Sequence, residues 1–129
     1  MNYYFNKKFA GIDFDEGVEM VTERLTQEGF GVLTEIDVKA TFKKKLDVDF
    51  RNYKILGACN PPSAFNALKA EPTIGLMLPC NVVVEEDEDG YILISAINPM
   101  ATMQAADNQE LIEVAKHISS KLKKVIESL

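Results

Sequence analysis

Leu76-Met77-Leu78-Pro79-Cys80-Asn81-Val82-Val83-Val84-Glu85-Glu86, then Asp87-Glu88-Asp89-Gly90, then Tyr91-Ile92-Leu93-Ile94-Ser95-Ala96-Ile97: this stretch decides the fold. Two runs rich in strand-favouring residues flank an acidic turn that ends in glycine, which is the pattern of a β-hairpin. Pairing Val84 with Ile92, Val82 with Ile94 and Cys80 with Ala96 collects six apolar side chains on one face. Asn81, Glu85, Tyr91 and Ser95 fall on the other face, with Val83 and Leu93 between them. Side chains alternate along a strand, so a one-residue slip would mix the two sets. The hairpin thus has one face that needs a cover.

The segments on either side supply helices for that cover. Downstream, Leu111, Val114, Ile118, Leu122, Val125 and Leu129 recur at helical spacing, so a long amphipathic helix is expected over Asp107 to Leu129. Asp107 and Glu110 stand three apart as a capping pair, and Lys121, Lys123 and Lys124 sit where the helix dipole favours positive charge. Upstream, Asp13 with Glu16 opens a helix along Phe14, Val18, Val21 and Leu25 that Gly29 ends. Asp37 caps a shorter helix carrying Val38, Phe42 and Leu46, and Asn60-Pro61-Pro62 opens another that runs to about Ala70. Alternation marks further strands over Asn2 to Phe9, Phe30 to Ile36 and Tyr53 to Cys59. These elements predict an α+β fold: a mostly antiparallel sheet of about five strands with helices packed against it and a long C-terminal helix.

The bulk composition agrees with one such domain over residues 1–129. At this length a chain buries about two thirds of its unfolded surface, so neither a disulfide nor a metal is required for folding. Hydrophobic residues make up 47% and charged residues 26%, as in an ordinary globular chain. Twenty acidic residues face fourteen basic ones, a net charge of −6, which argues against a nucleic-acid partner because phosphate binding needs clustered Lys and Arg. The run Lys43-Lys44-Lys45 is flanked by Asp47 and Asp49 and reads as a solvated helix face. Met1 to Phe9 has no apolar core of the kind a signal peptide carries, and no apolar run approaches a membrane span. A cytoplasmic protein with two reduced cysteines is expected.

Candidate chemistry concentrates at two Cys-Asn pairs. Cys59-Asn60-Pro61 lies where a strand hands over to a helix, a place where unpaired N–H groups and the helix dipole stabilise a thiolate. The competing reading makes Cys59 a small buried hydrophobe and Asn60 only a cap. Pro79-Cys80-Asn81 lies inside the first hairpin strand, and the proposed register turns Cys80 toward the core. The cysteines are 21 positions apart and lack the adjacent spacing of a redox dithiol. Two Cys and one His are too few for a monomeric zinc site, and His117 falls off the apolar stripe of the last helix. Met100 and Met103 together with the cysteines are donors that Cu(I) would want, but gap-filling in the core is the favoured reading of these methionines. The acidic tract Glu85 to Asp89 lacks the alternating ligands of a calcium loop and reads as a solubilising turn.

Tyr53-Lys54-Ile55-Leu56-Gly57-Ala58-Cys59-Asn60-Pro61, Glu71-Pro72 and Ile74-Gly75-Leu76-Met77-Leu78-Pro79-Cys80-Asn81-Val82 closely resemble the bacterial and archaeal domain of unknown function 302 family. The resemblance covers nearly the whole chain and departs at Asn98-Pro99, where that family leads one to expect Asp-Pro. It implies a small α+β fold similar in shape to the TATA-binding-protein-like group, and a homodimer. It implies no reaction and no cofactor. The candidate ligand-binding residues are Cys59, Asn60, Pro61, Cys80 and Asn81, with no metal and no catalytic residue assigned. The expected function is a homodimeric domain that binds a small molecule or a protein. The alternative is a thiol-dependent enzyme or a soft-metal or redox sensor built on Cys59, possibly together with Cys80.

Overall fold

The computed structural model describes residues 2–129, and Met1 lies outside them. The chain runs β1 (Tyr4–Phe9), α1 (Phe14–Gln27), β2 (Gly31–Asp37), α2 (Val38–Leu46), β3 (Tyr53–Cys59) and α3 (Pro61–Ala70). A 3-10 segment (Pro72–Met77) then leads into β4 (Cys80–Glu86) and β5 (Ile92–Ile97). After a single turn of helix, α4 (Pro99–Thr102), and a second 3-10 segment (Met103–Ala106), α5 (Gln109–Glu127) closes the chain. The strands form one antiparallel sheet in the order β1-β5-β4-β3-β2, so β1 and β2 are its edges.

Helices α1 and α5 cover one face of this sheet. Val21 and Leu25 of α1, Leu56, Val82, Val84, Ile92 and Ile94 of the strands, and Leu122 and Val125 of α5 are fully buried there. At about 25 cal/mol per Å² of apolar surface, each such side chain contributes roughly 1.5–3 kcal/mol, which makes this layer the main source of stability. Among the described residues, no helix is long and apolar enough to cross a membrane.

The hairpin pairs differently from the sequence expectation. Val84 lies opposite Ile94 and Val82 opposite Ala96, a shift of two residues from the Val84–Ile92 register. A two-residue shift keeps every side chain on its face, so the apolar set still points at the helices. The cause is the turn. Asp87 N–H bonds the Tyr91 carbonyl, the Asp87 carboxylate accepts from the N–H groups of Asp89 and Tyr91, and Gly90 takes φ +84°. This tight Asp87–Tyr91 loop leaves Glu86 and Ile92 as the last pair. The expected strand start at Leu76 is also corrected, because Pro72–Met77 is 3-10 and β4 begins only at Cys80.

Three of the expected N-caps form, and one moves. Asp13, Asp37 and Asn60 each accept a hydrogen bond from the N–H three residues on. On α5 the cap is Asn108 rather than Asp107, which takes φ +49° just before it. Asn108 Oδ1 accepts from Leu111 N–H while its amide donates to the Ala70 carbonyl and to Glu71. A carboxylate cannot make that second set of bonds, so the amide wins the position.

Candidate functional site

At one end of the sheet β3 stops, α3 starts and the chain enters β4, and a cavity of about 280 Å³ opens between these elements and α5. Its sheet wall is Phe30, Ala58, Pro79 and Cys80, and its floor is Met103, Ala115 and Ile118. Helix α3 contributes Ser63, Ala64, Ala67 and Leu68 at successive turns of one face. Small residues at three of those four positions hold the helix backbone close while leaving the volume unfilled. Leu33 and Leu68 stand at the mouth, 68% and 42% exposed.

Of the five residues singled out from the sequence, Cys59, Asn60 and Cys80 line this cavity. Pro61 does not; it is exposed at the first position of α3. Asn81 does not either. Strand alternation carries it to the open face of the sheet, where it borders a shallow depression with Tyr3, Tyr53 and Val83. Sequence reasoning missed Ser63, Ala64 and Ala67. Their signal was the i, i+1, i+4 placement of small residues behind the Asn60 cap, an inward face too small to fill its own space.

The two cysteines are free and lie on neighbouring strands, with Cys80 paired directly across from Ala58. Cys80 is buried, and that burial pushes its thiol up to about 11, with the neighbouring Cys59 adding to the effect. The cap of α3 has a further consequence. Pro61 and Pro62 have no N–H, Ser63 N–H bonds Asn60 Oδ1 at 3.2 Å, and Ala64 N–H bonds the Asn60 carbonyl at 2.9 Å. The unpaired donors that the sequence reading placed beside Cys59 are therefore absent, and the helix start offers no N–H to an anion. Asn60 is itself fully engaged, since its amide donates to the Gly29 carbonyl.

What remains for a ligand is sparse. No Asp, Glu, Lys, Arg or His is among the residues lining the cavity. Ser63 is only 7% exposed as a residue and lines the cavity, and its hydroxyl makes no hydrogen bond among the described residues while keeping some accessible surface of its own. Met103 presents a thioether to the same space, whereas Met100 does not line it. His117 is exposed on α5, and among the described residues no three His, Cys, Asp or Glu side chains converge as a metal site would require. The acidic tract is tied into the turn by Lys8–Asp87 and Arg51–Glu85 ion pairs at 3.4 and 3.1 Å.

Asn98, where an acid was expected, has a structural role. It is buried, its amide donates to the Asn2 carbonyl, and its Oδ1 accepts from Ser119 Oγ and Met100 N–H. An ionised Asp could accept the last two bonds but not make the first.

Comparison with known proteins agrees with this architecture. A solved structure described as an uncharacterized conserved protein DUF302 from Bacillus stearothermophilus superposes with a TM-score of 0.88 at 28% sequence identity. The match covers 97% of this chain and 96% of that one. No curated protein matches. The model of the domain of unknown function DUF302 matches residues 5–129, and the chain belongs to that family.

Proposed function

We propose that this chain is a binding domain without catalytic chemistry of its own, and that it takes a small molecule in the cavity between β3, α3 and α5. The observation that carries the reading is the cavity itself: about 280 Å³, apolar on nearly every wall, with the Ser63 hydroxyl and the two thiols among its lining groups. Ligand sites are generally concave, mostly apolar and supplied with a small number of placed polar groups. The lining lacks an acid–base pair, and the Cys80 thiol is held protonated by burial, which favours binding over catalysis. Exposed Leu33 and Leu68 at the mouth give an apolar molecule a favourable approach.

The test is titration of the uncharged dye N-phenyl-1-naphthylamine, whose emission rises on entering an apolar site. Binding should be saturable and should disappear in Ala64→Phe, which fills the cavity from a half-buried position. No enhancement, or equal enhancement in the variant, sinks the reading. Native mass spectrometry of protein from its own host then identifies what the cavity retains.

A second reading is favoured by one observation, the presence of Cys59, Cys80 and Met103 around the same space. Three soft donors in a largely apolar pocket suit Cu(I) better than any hard cation. Anaerobic competition with bicinchoninate tests it: one copper withdrawn by the native chain and none by Cys59→Ser supports it. We also propose that the domain works as a homodimer in the reducing cytoplasm. Support comes from the edge strand β2 and the adjoining α2, where Ile36, Leu46 and Val48 are exposed, and from the two free thiols. The exposed flank of α5 carries Glu113, Lys116, His117 and Lys123, which makes it the poorer contact.

A further inference from the structure

The cavity's chemistry also says what kind of molecule it holds, an inference that rests on the binding reading above. Size comes first. An apolar cavity of roughly 150 Å³ accommodates a benzene ring, so about 280 Å³ is the scale of a compact two-ring molecule. Charge comes second. An ion entering this space meets no opposite charge, and the start of α3 offers it no N–H because two prolines and the Asn60 cap leave none free. Moving a carboxylate or an ammonium into such surroundings without a partner is strongly unfavourable.

Polarity comes third. Asn60 spends both ends of its amide on Gly29 and Ser63 N–H, which removes it as a ligand contact. The thiols are weak donors. The Ser63 hydroxyl is the strong hydrogen-bonding group left over: its residue is more than nine-tenths buried and lines the cavity, and the hydroxyl itself stays accessible and without a partner among the described residues. A hydrocarbon seated in the cavity would cover this hydroxyl and leave it unpaired, which is unfavourable, whereas a ligand oxygen placed against it supplies the missing hydrogen bond. We infer that the cavity selects an uncharged, mainly hydrocarbon molecule of about two rings carrying one oxygen, which the Ser63 hydroxyl reads through a hydrogen bond.

Three probes of one shape test this: 2-naphthol, 2-methylnaphthalene and 2-naphthoate, each titrated against the native chain by naphthyl fluorescence, to which a chain without tryptophan adds little background. 2-Naphthol should bind about five- to tenfold more tightly than 2-methylnaphthalene, the size of one net hydrogen bond. 2-Naphthoate should bind at least about 100-fold more weakly than 2-methylnaphthalene, reflecting an unpaired charge. In Ser63→Ala the naphthol advantage should vanish while 2-methylnaphthalene binds as before; alanine is a better helix former at that position, so the variant keeps its fold. A naphthol advantage that is missing, or that survives in Ser63→Ala, overturns the role of Ser63. Naphthoate binding as tightly as the hydrocarbon overturns the selection against charge. If none of the three binds while N-phenyl-1-naphthylamine does, this inference fails alone. If that dye fails as well, the binding reading falls with it.

Discussion

Replacing Asn60 by alanine cuts two bonds that hold the cavity's corner together, and the structure allows the cost of each to be worked separately. The first is the cap, Ser63 N–H to Asn60 Oδ1 at 3.2 Å; losing an N-cap costs about 1 kcal/mol. The second runs from the Asn60 amide to the Gly29 carbonyl at 3.3 Å and ties the end of α1 to the start of α3. It is long and accessible to water, so about 0.5–1 kcal/mol is its share. Asn60→Ala should therefore lose about 1.5–2 kcal/mol, or about 5–10 °C in Tm for a chain of this size. Asn60→Ser separates the terms, since serine caps well but is too short to reach Gly29; it should lose only about 0.5–1 kcal/mol. The assay is urea unfolding followed by far-ultraviolet circular dichroism, with the same denaturant slope required of all three chains. A loss below about 0.5 kcal/mol in Asn60→Ala, or equal losses in the two variants, would refute the assignment, because substitutions without a structural role stay within that range.

Four further outcomes are expected. A Cβ at Gly57 would press on Thr34 Oγ1 and lie 2.7 Å from Pro79 Cγ, so Gly57→Ala should cost about 1–3 kcal/mol, whereas Gly31→Ala, with open space around it, should be near neutral in the same unfolding assay. The Cys80 thiol rises from an ordinary 9.0 to about 11 on burial, so between those values the unfolded chain gives up the proton first and stability falls with rising pH. On the order of 2 kcal/mol should be lost between pH 8 and 11 beyond what Cys80→Ala loses, and parallel curves for the two chains would contradict the burial argument. Timed alkylation with iodoacetamide at neutral pH should label half-buried Cys59 before Cys80, which is 7% exposed and protonated; faster labelling at Cys80 would reverse the ranking. Light scattering at micromolar concentration should give twice the 14.4 kDa chain mass, and a monomer alone would remove the dimer proposal.

The long-range lesson lies in which features are local. Alternation in Val82, Val84, Ile92 and Ile94 and the helical stripe Leu111 to Val125 were enough to state an α+β sheet-and-helix fold, because burial of one face is written into the period of the residues that make it. Caps at Asp13, Asp37 and Asn60 were legible for the same reason, since donor and acceptor lie three residues apart. What the tertiary structure decided is everything that needed a distant partner. The hairpin register is the exception, a local feature that was missed: Asp87 closes its turn with Asp89 and Tyr91, two and four residues on, and the face assignment survived only because the error was an even number of residues. Asn108 displaced Asp107 as a cap because Ala70 and Glu71, nearly forty positions away in the chain, accept its amide. The cavity is the extreme case. Cys59 and Cys80 border one space because β3 and β4 pair through Ala58 and Cys80, and α3 turns Ser63 and Ala67 inward toward Ile118 of α5. A void is made by side chains that fail to meet, and no local pattern records the absence of a neighbour that only the packed fold could have supplied.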